Sequence, residues 1–82
     1  MWFVYLLECS DTSLYCGITN NLEKRLSTHN SGKGAKYTRN KLPVKLVWFK
    51  ECLDKSIASK EEYKIKKMKR EDKLKLINGD KI

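Results

Sequence analysis

The chain opens on an apolar run, Trp2 to Cys9 (WFVYLLEC), in which hydrophobic residues occupy odd and even positions alike. A strand that is apolar on both faces is covered on both, so this segment is predicted to be central in its sheet. Ser10, Asp11 and Thr12 supply turn chemistry. Residues 13–19 (SLYCGIT) then read as a second strand, making a hairpin. A helix is predicted next: Asn20 is a good N-cap, Glu23 completes a capping-box-like pair, Leu22 and Leu26 form the buried stripe, and Gly32 ends it. Residues 31–41 (SGKGAKYTRNK) are small and basic with no apolar period, hence a loop. After Pro43, residues 44–52 (VKLVWFKEC) return to a strand pattern with apolar positions at 44, 46 and 48. Asp54 or Ser56 caps a further helix in which Ile57, Ala58, Ile65 and Met68 share one side, and Leu74 and Ile77 mark a short last helix ending near Gly79. The predicted order is ββαβαα, an α+β fold with a three-stranded antiparallel sheet and flanking helices.

Composition narrows the partners. With 82 residues, one domain over 1–82 is expected, with no room for a second core. The net charge of +8 favours a polyanion, either nucleic acid or an anionic membrane surface. Glu8 ends the first apolar run far short of the ~20 residues needed to span a bilayer, so no membrane span is expected. The basic start and cleavage site of a secretory signal are missing too. The three cysteines, Cys9, Cys16 and Cys52, form no CxxC pair. They read as small buried hydrophobes in a reducing cytoplasm, not as a zinc ribbon or a disulfide framework.

Several side chains carry potential chemistry. A turn with an odd number of residues would put Tyr5, Tyr15 and Gly17 on one sheet face, and an even number would separate them. Taken alone the pair is unremarkable, because tyrosine favours strands. Arg25 and His29 are spaced i, i+4 beside the Leu22 and Leu26 stripe. Such a cation usually snorkels at the edge of a core, but this helix follows the strand of Tyr15 and Gly17. An arginine overhanging that face would hold a phosphate bidentately. Glu61 projects into the apolar stripe of the later helix and Glu62 flanks it. A carboxylate there needs a cation or a metal as partner, and Lys66 is an i, i+4 candidate for Glu62. The helical period does not decide which glutamate points inward. Lys33, Lys36, Tyr37, Arg39 and Lys41 stud the loop, and Lys64, Lys66, Lys67, Lys69, Arg70, Lys73 and Lys75 form a second basic tract. Together they suit phosphate-backbone contacts, which give affinity without sequence readout.

Taken in order, these pieces resemble the GIY-YIG nuclease superfamily. Phe3-Val4-Tyr5 stands where the family has its first signature and Tyr15-Cys16-Gly17 where it has the second, with Arg25 eight residues after the glycine. SIASKEEYKIKKM resembles the helix bearing the family's metal-binding glutamate, in a register that selects Glu62. His29 and the SGKGAKYTR loop look typical of the short stand-alone bacterial branch. Phe3, Val4 and Cys16 depart from the signatures at apolar strand positions. Ile18 stands where the UvrC-like repair branch has a lysine, and His29 where that branch has a tyrosine.

The resemblance implies phosphodiester hydrolysis with one divalent metal, Mg2+ or Mn2+, on Glu62. It further implies Tyr15 as the base that activates water, Tyr5 as its support, and Arg25 on the phosphate. A free tyrosine titrates near pH ~10, so a tyrosine base needs help, for which Arg25, His29 and the metal are the available means. The expected substrate is DNA recognised by structure or backbone shape, in repair or recombination, with RNA also open. The competing readings are a non-catalytic nucleic-acid-binding module on the same scaffold, and a basic adaptor for an acidic protein or a membrane.

Overall fold

A computed structural model describes residues 1–79 of the chain, so the last three residues of the expected domain lie outside the described residues. The elements are β1 (Trp2–Glu8), β2 (Leu14–Thr19), α1 (Leu22–Thr28), α2 (Lys36–Arg39), β3 (Lys45–Cys52), α3 (Lys55–Lys66) and α4 (Arg70–Ile77), with a π-helical turn over His29–Lys33 directly after α1. The sheet is antiparallel with order β2-β1-β3. β1 is therefore central, and its two-sided apolar pattern feeds two core layers. Val4 and Leu6 pack with Cys16, Cys52 and the α3 residues Ala58 and Ile65. Tyr5 and Leu7 pack on the opposite face with Cys9, Val44 and the α1 residues Leu22 and Leu26. All three cysteines are buried and free. No helix among the described residues is long and apolar enough to cross a membrane.

The hairpin turn spans residues 9–13, an odd number, and closes through Cys9 N–H donating to the Ser13 carbonyl at 2.8 Å. Tyr5 consequently pairs with Gly17 and Leu7 with Tyr15, so the odd-numbered residues of both strands share a face. Arg70, counted above in a basic tract, donates to the Thr12 carbonyl at 2.8 Å and ties α4 to this turn.

Four local expectations are corrected. The cap of α1 is Asn21, not Asn20: its side chain accepts from Lys24 N–H at 3.1 Å, while its own N–H is held by Thr19 Oγ1 at 3.1 Å. Helix α1 stops at Thr28, and Gly32, at φ +82°, lies within the π-helical turn that follows. The segment read as a loop contains α2, whose one buried residue is Thr38, so no apolar period announces it. In α3, capped by Asp54, Ile57 sits on the first turn and is exposed while Ala58 and Ile65 are buried.

Strand β3 also departs from plain alternation. Its register shifts between the pairs Leu6–Trp48 and Leu7–Leu46, which leaves Val47 as an extra residue. Leu46 thus packs in the Tyr5 layer and Trp48 in the Leu6 layer, although they are two residues apart.

Candidate active site

Gly17 lies directly across from Tyr5. A Cβ at Gly17 would stand 2.5 Å from Tyr5 Oη and 2.7 Å from Cζ, so the close approach of ring and backbone requires glycine. Tyr5 is 2 % exposed. Its hydroxyl accepts from Arg25 Nε–H at 3.3 Å and lies 3.1 Å from His29 Nε2. His29 is fully buried, and its other ring nitrogen, Nδ1, lies 2.9 Å from Thr38 Oγ1. Two further residues hold this histidine. The Asn30 amide donates to the Val44 carbonyl at 3.1 Å and accepts from Val44 N–H at 2.8 Å, fastening the π-helical turn to the start of β3. Gly34 packs so closely on the imidazole that a Cβ there would collide with His29 Nδ1.

Tyr15 is half-buried on the same sheet face. Its ring meets His29 edge-on at 5.3 Å and stacks on Tyr37 at 5.9 Å with 27° between planes. Lys41 Nζ covers the Tyr37 ring at 3.8 Å and pairs with Asp11 at 3.5 Å. The structure therefore brings Tyr5, Tyr15, Arg25 and His29 into one cluster, with Tyr37 at its rim. Lys33, Lys36 and Arg39 point to solvent from the neighbouring loop.

Electrostatics differ between the members. Burial raises the Tyr5 phenol above its ordinary value of 10.0, opposed by the hydrogen bond and charge of Arg25. The bond to Tyr5 in turn raises Arg25, with Tyr15 adding a smaller effect. Burial, then the charge of Arg25, hold His29 below its ordinary 6.5. The folded protein thus favours neutral His29, while the unfolded chain binds a proton as pH falls below 6.5. This contribution to stability is complete above pH 6.5 and is lost as pH falls from there towards the lower folded value. Thermal unfolding between pH 7.5 and 5.5 is expected to show a decline in wild type that is shallower in His29→Gln. Equal slopes would contradict the assignment.

Glu62 stands elsewhere. Helix α3 covers the sheet face opposite Tyr5 and Tyr15, and the charge of Glu62 reaches Cys16, between Tyr15 and Gly17 on the edge strand β2. Burial first, then Glu62, pushes the Cys16 thiol up to about 11. Glu61 instead pairs with Lys50 of β3 at 3.7 Å. The two glutamates are buried to the same degree, 26 % and 24 % exposed, and differ in direction: the charge of Glu62 acts on β2, and Glu61 pairs with β3. Tyrosines and glutamate flank the β2 edge from its two faces.

The Glu62 side chain is 24 % exposed and pairs with Lys66 at 3.3 Å. No group of three or more His, Cys, Asp or Glu gathers among the described residues. A single half-buried carboxylate on α3, whose partner is the more exposed Lys66, fits a hard cation that keeps water and substrate oxygens as its other ligands, as Mg2+ does. It does not fit a closed zinc cage. Lys66 ends α3 and Lys67 caps it, away from the basic loop, and Lys67 covers the exposed Tyr63 ring at 4.3 Å.

The profile of the GIY-YIG catalytic domain matches residues 1–75. The chain belongs to the GIY-YIG family. This is a nuclease superfamily, and membership implies a nucleic-acid substrate. The chain is 55 % identical over 82 residues to UPF0213 protein CPE1444 of Clostridium perfringens, covering all of this chain and 88 % of that one. It is 55 % identical over 75 residues to UPF0213 protein OB0043 of Oceanobacillus iheyensis, covering 92 % and 87 %. Among solved structures it is similar to the NMR structure of UPF0213 protein BH0048 from Bacillus halodurans, with a TM-score of 0.60 and 42 % identity over 95 % of this chain and 84 % of that one. Sequence reasoning missed Asn30, Gly34 and Thr38. None is apolar or charged, and the available signal was one asparagine, one glycine and one threonine among exposed cations.

Proposed function

We propose that this chain is a metal-dependent endonuclease that hydrolyses phosphodiester bonds in DNA, recognised by backbone shape and structure, in repair or recombination. The observation that carries the reading is Arg25. Its Nε is spent on Tyr5, which leaves the outer edge of the guanidinium beside Tyr15, across β2 from a half-buried carboxylate. Arg25 binds a phosphate through that edge and steadies the negative charge that grows on it as water attacks. Tyr5 is too buried to reach a substrate and orients Arg25. Tyr15 is the less buried tyrosine of the pair and takes the proton of the attacking water. His29 is fully buried, so it works through Tyr5. Glu62 would hold a single Mg2+ or Mn2+, which would supply positive charge for the leaving oxygen. Lys33, Lys36, Tyr37, Arg39, Lys66 and Lys67 hold the nucleic-acid backbone on either side, and their charge makes affinity fall with salt.

The test is a panel of branched, nicked, single-stranded and duplex DNA with matching RNA, incubated with pure protein in Mg2+ or Mn2+ and in EDTA. Cleavage of DNA in metal and none in EDTA is expected. Salt-sensitive binding that EDTA leaves unchanged, with no cleavage on any substrate, would mean a binding module on the same scaffold.

A further inference from the structure

The basic loop has an inner face as well as an outer one. Lys33, Lys36, Tyr37 and Arg39 face solvent, whereas Gly34 and Thr38, four residues apart, are buried against His29. The inner face has no apolar side chain to contribute. What it offers the imidazole is a single oxygen.

That oxygen has a direction. A threonine hydroxyl has one hydrogen and two lone pairs. The Ala35 carbonyl, 2.9 Å from Thr38 Oγ1, can only accept, so that contact takes the Thr38 hydrogen, beside the Thr38 N–H that the same carbonyl accepts at 3.0 Å. Towards His29 only lone pairs remain, so the 2.9 Å contact requires Nδ1 to carry the proton. A neutral imidazole has one N–H, so Nε2 is bare and accepts the Tyr5 hydroxyl hydrogen at 3.1 Å. The Tyr5 oxygen then presents its lone pairs to Arg25 Nε–H at 3.3 Å. The donors line up in one sense, from Arg25 to Tyr5 to His29, with His29 donating in turn to Thr38 and Thr38 to Ala35.

We propose that Thr38 is a positioning residue that fixes His29 in the Nδ1–H tautomer and thereby sets the hydrogen-bond direction that holds Arg25 through Tyr5. Were the tautomer reversed, His29 Nε2–H would donate to Tyr5, and the buried phenol would face two donors with its own hydrogen left to place. Gly34 belongs to the same device, because any larger residue would lift the loop from Nδ1 and take Thr38 with it. The effect on cleavage rests on the endonuclease reading above, but the tautomer does not.

Histidine occurs once in the chain, so its two ring nitrogens are assigned without mutagenesis in a long-range nitrogen–proton NMR spectrum. In wild type at pH 7.5, Nδ1 is expected to show the shift of a protonated nitrogen and Nε2 that of a bare one. Thr38→Ser retains the hydroxyl and keeps this pattern. Thr38→Val matches the shape without the acceptor, and the proton is expected to move to Nε2. On whichever substrate is cleaved, Thr38→Val lowers kcat about 10–100-fold with little change in KM, the range seen when an outer hydrogen-bond partner of a site is lost. Thr38→Ser restores the rate. Should Thr38→Val fail to fold, Thr38→Ala, which removes the hydroxyl without a second branch, is read in its place. An Nε2–H tautomer in wild type overturns the proposal, as does an unchanged Nδ1–H pattern in folded Thr38→Val. If the tautomer follows Thr38 while no nucleic acid is cut, the positioning stands and the endonuclease reading falls.

Discussion

Arg25→Lys is expected to lower the DNA cleavage rate by about 10²–10³-fold, the usual cost of losing one aimed donor to a charge that develops in the transition state. The reason is geometric. On the proposed reading Arg25 would perform two tasks with separate nitrogens: Nε–H holds the Tyr5 oxygen at 3.3 Å, and the outer edge would take the phosphate. A lysine carries the same charge at a single point and cannot do both. Stability should change far less. Losing one donor to a buried hydroxyl costs about 1 kcal/mol, which for a domain of this size lowers Tm by roughly 4–8 °C. Cleavage assays beside thermal denaturation of the same samples check this. A variant that unfolds at the growth temperature would make Arg25 structural, and one that cuts at the wild-type rate would remove it from the site.

Gly17→Ala is expected to damage fold and site together. The added carbon would meet Tyr5 Oη at 2.5 Å and Cζ at 2.7 Å. The end of a side chain can often yield, but this one is a rigid ring, 2 % exposed, with its hydroxyl between Arg25 and His29. Overpacking of this kind costs about 1–3 kcal/mol. Either the strand shifts and Tm falls accordingly, or the ring shifts and releases Arg25. Thermal denaturation and the cleavage rate of the folded fraction are both expected to fall. An alanine variant equal to wild type in both would show that the contact is not constraining.

Much of this was legible in the sequence, because the chemistry rides on strand periodicity. The two-sided apolar run of β1 required a central strand. The parity of a short hairpin was enough to carry Tyr5, Tyr15 and Gly17 to one face once the turn was known to be odd. Other features were hidden for physical reasons. Asn20 and Asn21 are equally good caps by composition, and only the Thr19 hydroxyl selects the second. The bulge at Val47 inverts the faces of β3 midway, and apolar alternation does not reveal it. Helix α2 is anchored through the hydrogen bonds of Thr38, its one buried residue, so a search for apolar stripes passes over it. Glu61 and Glu62 became distinct only when α3 was laid across the sheet, one towards Lys50 and β3, the other towards Cys16 and β2.

The arrangement also explains how so small a chain can hold a site. The cluster sits on a sheet whose two faces each carry a core layer, and its polar members satisfy one another: no buried side-chain nitrogen or oxygen among the described residues lacks a hydrogen-bond partner. A network completed in this way rigidifies its members, whereas a half-satisfied one would destabilise the fold.

The most direct test compares wild type with Glu62→Gln on one DNA substrate, measuring binding and Mg2+-dependent cleavage in the same buffer. Glu62→Gln keeps the size and half-buried position of the side chain and removes the charge that a hard cation needs. The expected result is binding at or above wild-type affinity with cleavage lost, since the variant carries one negative charge fewer. Cleavage by Glu62→Gln at the wild-type rate, or no metal-dependent cleavage by wild type, would contradict the account.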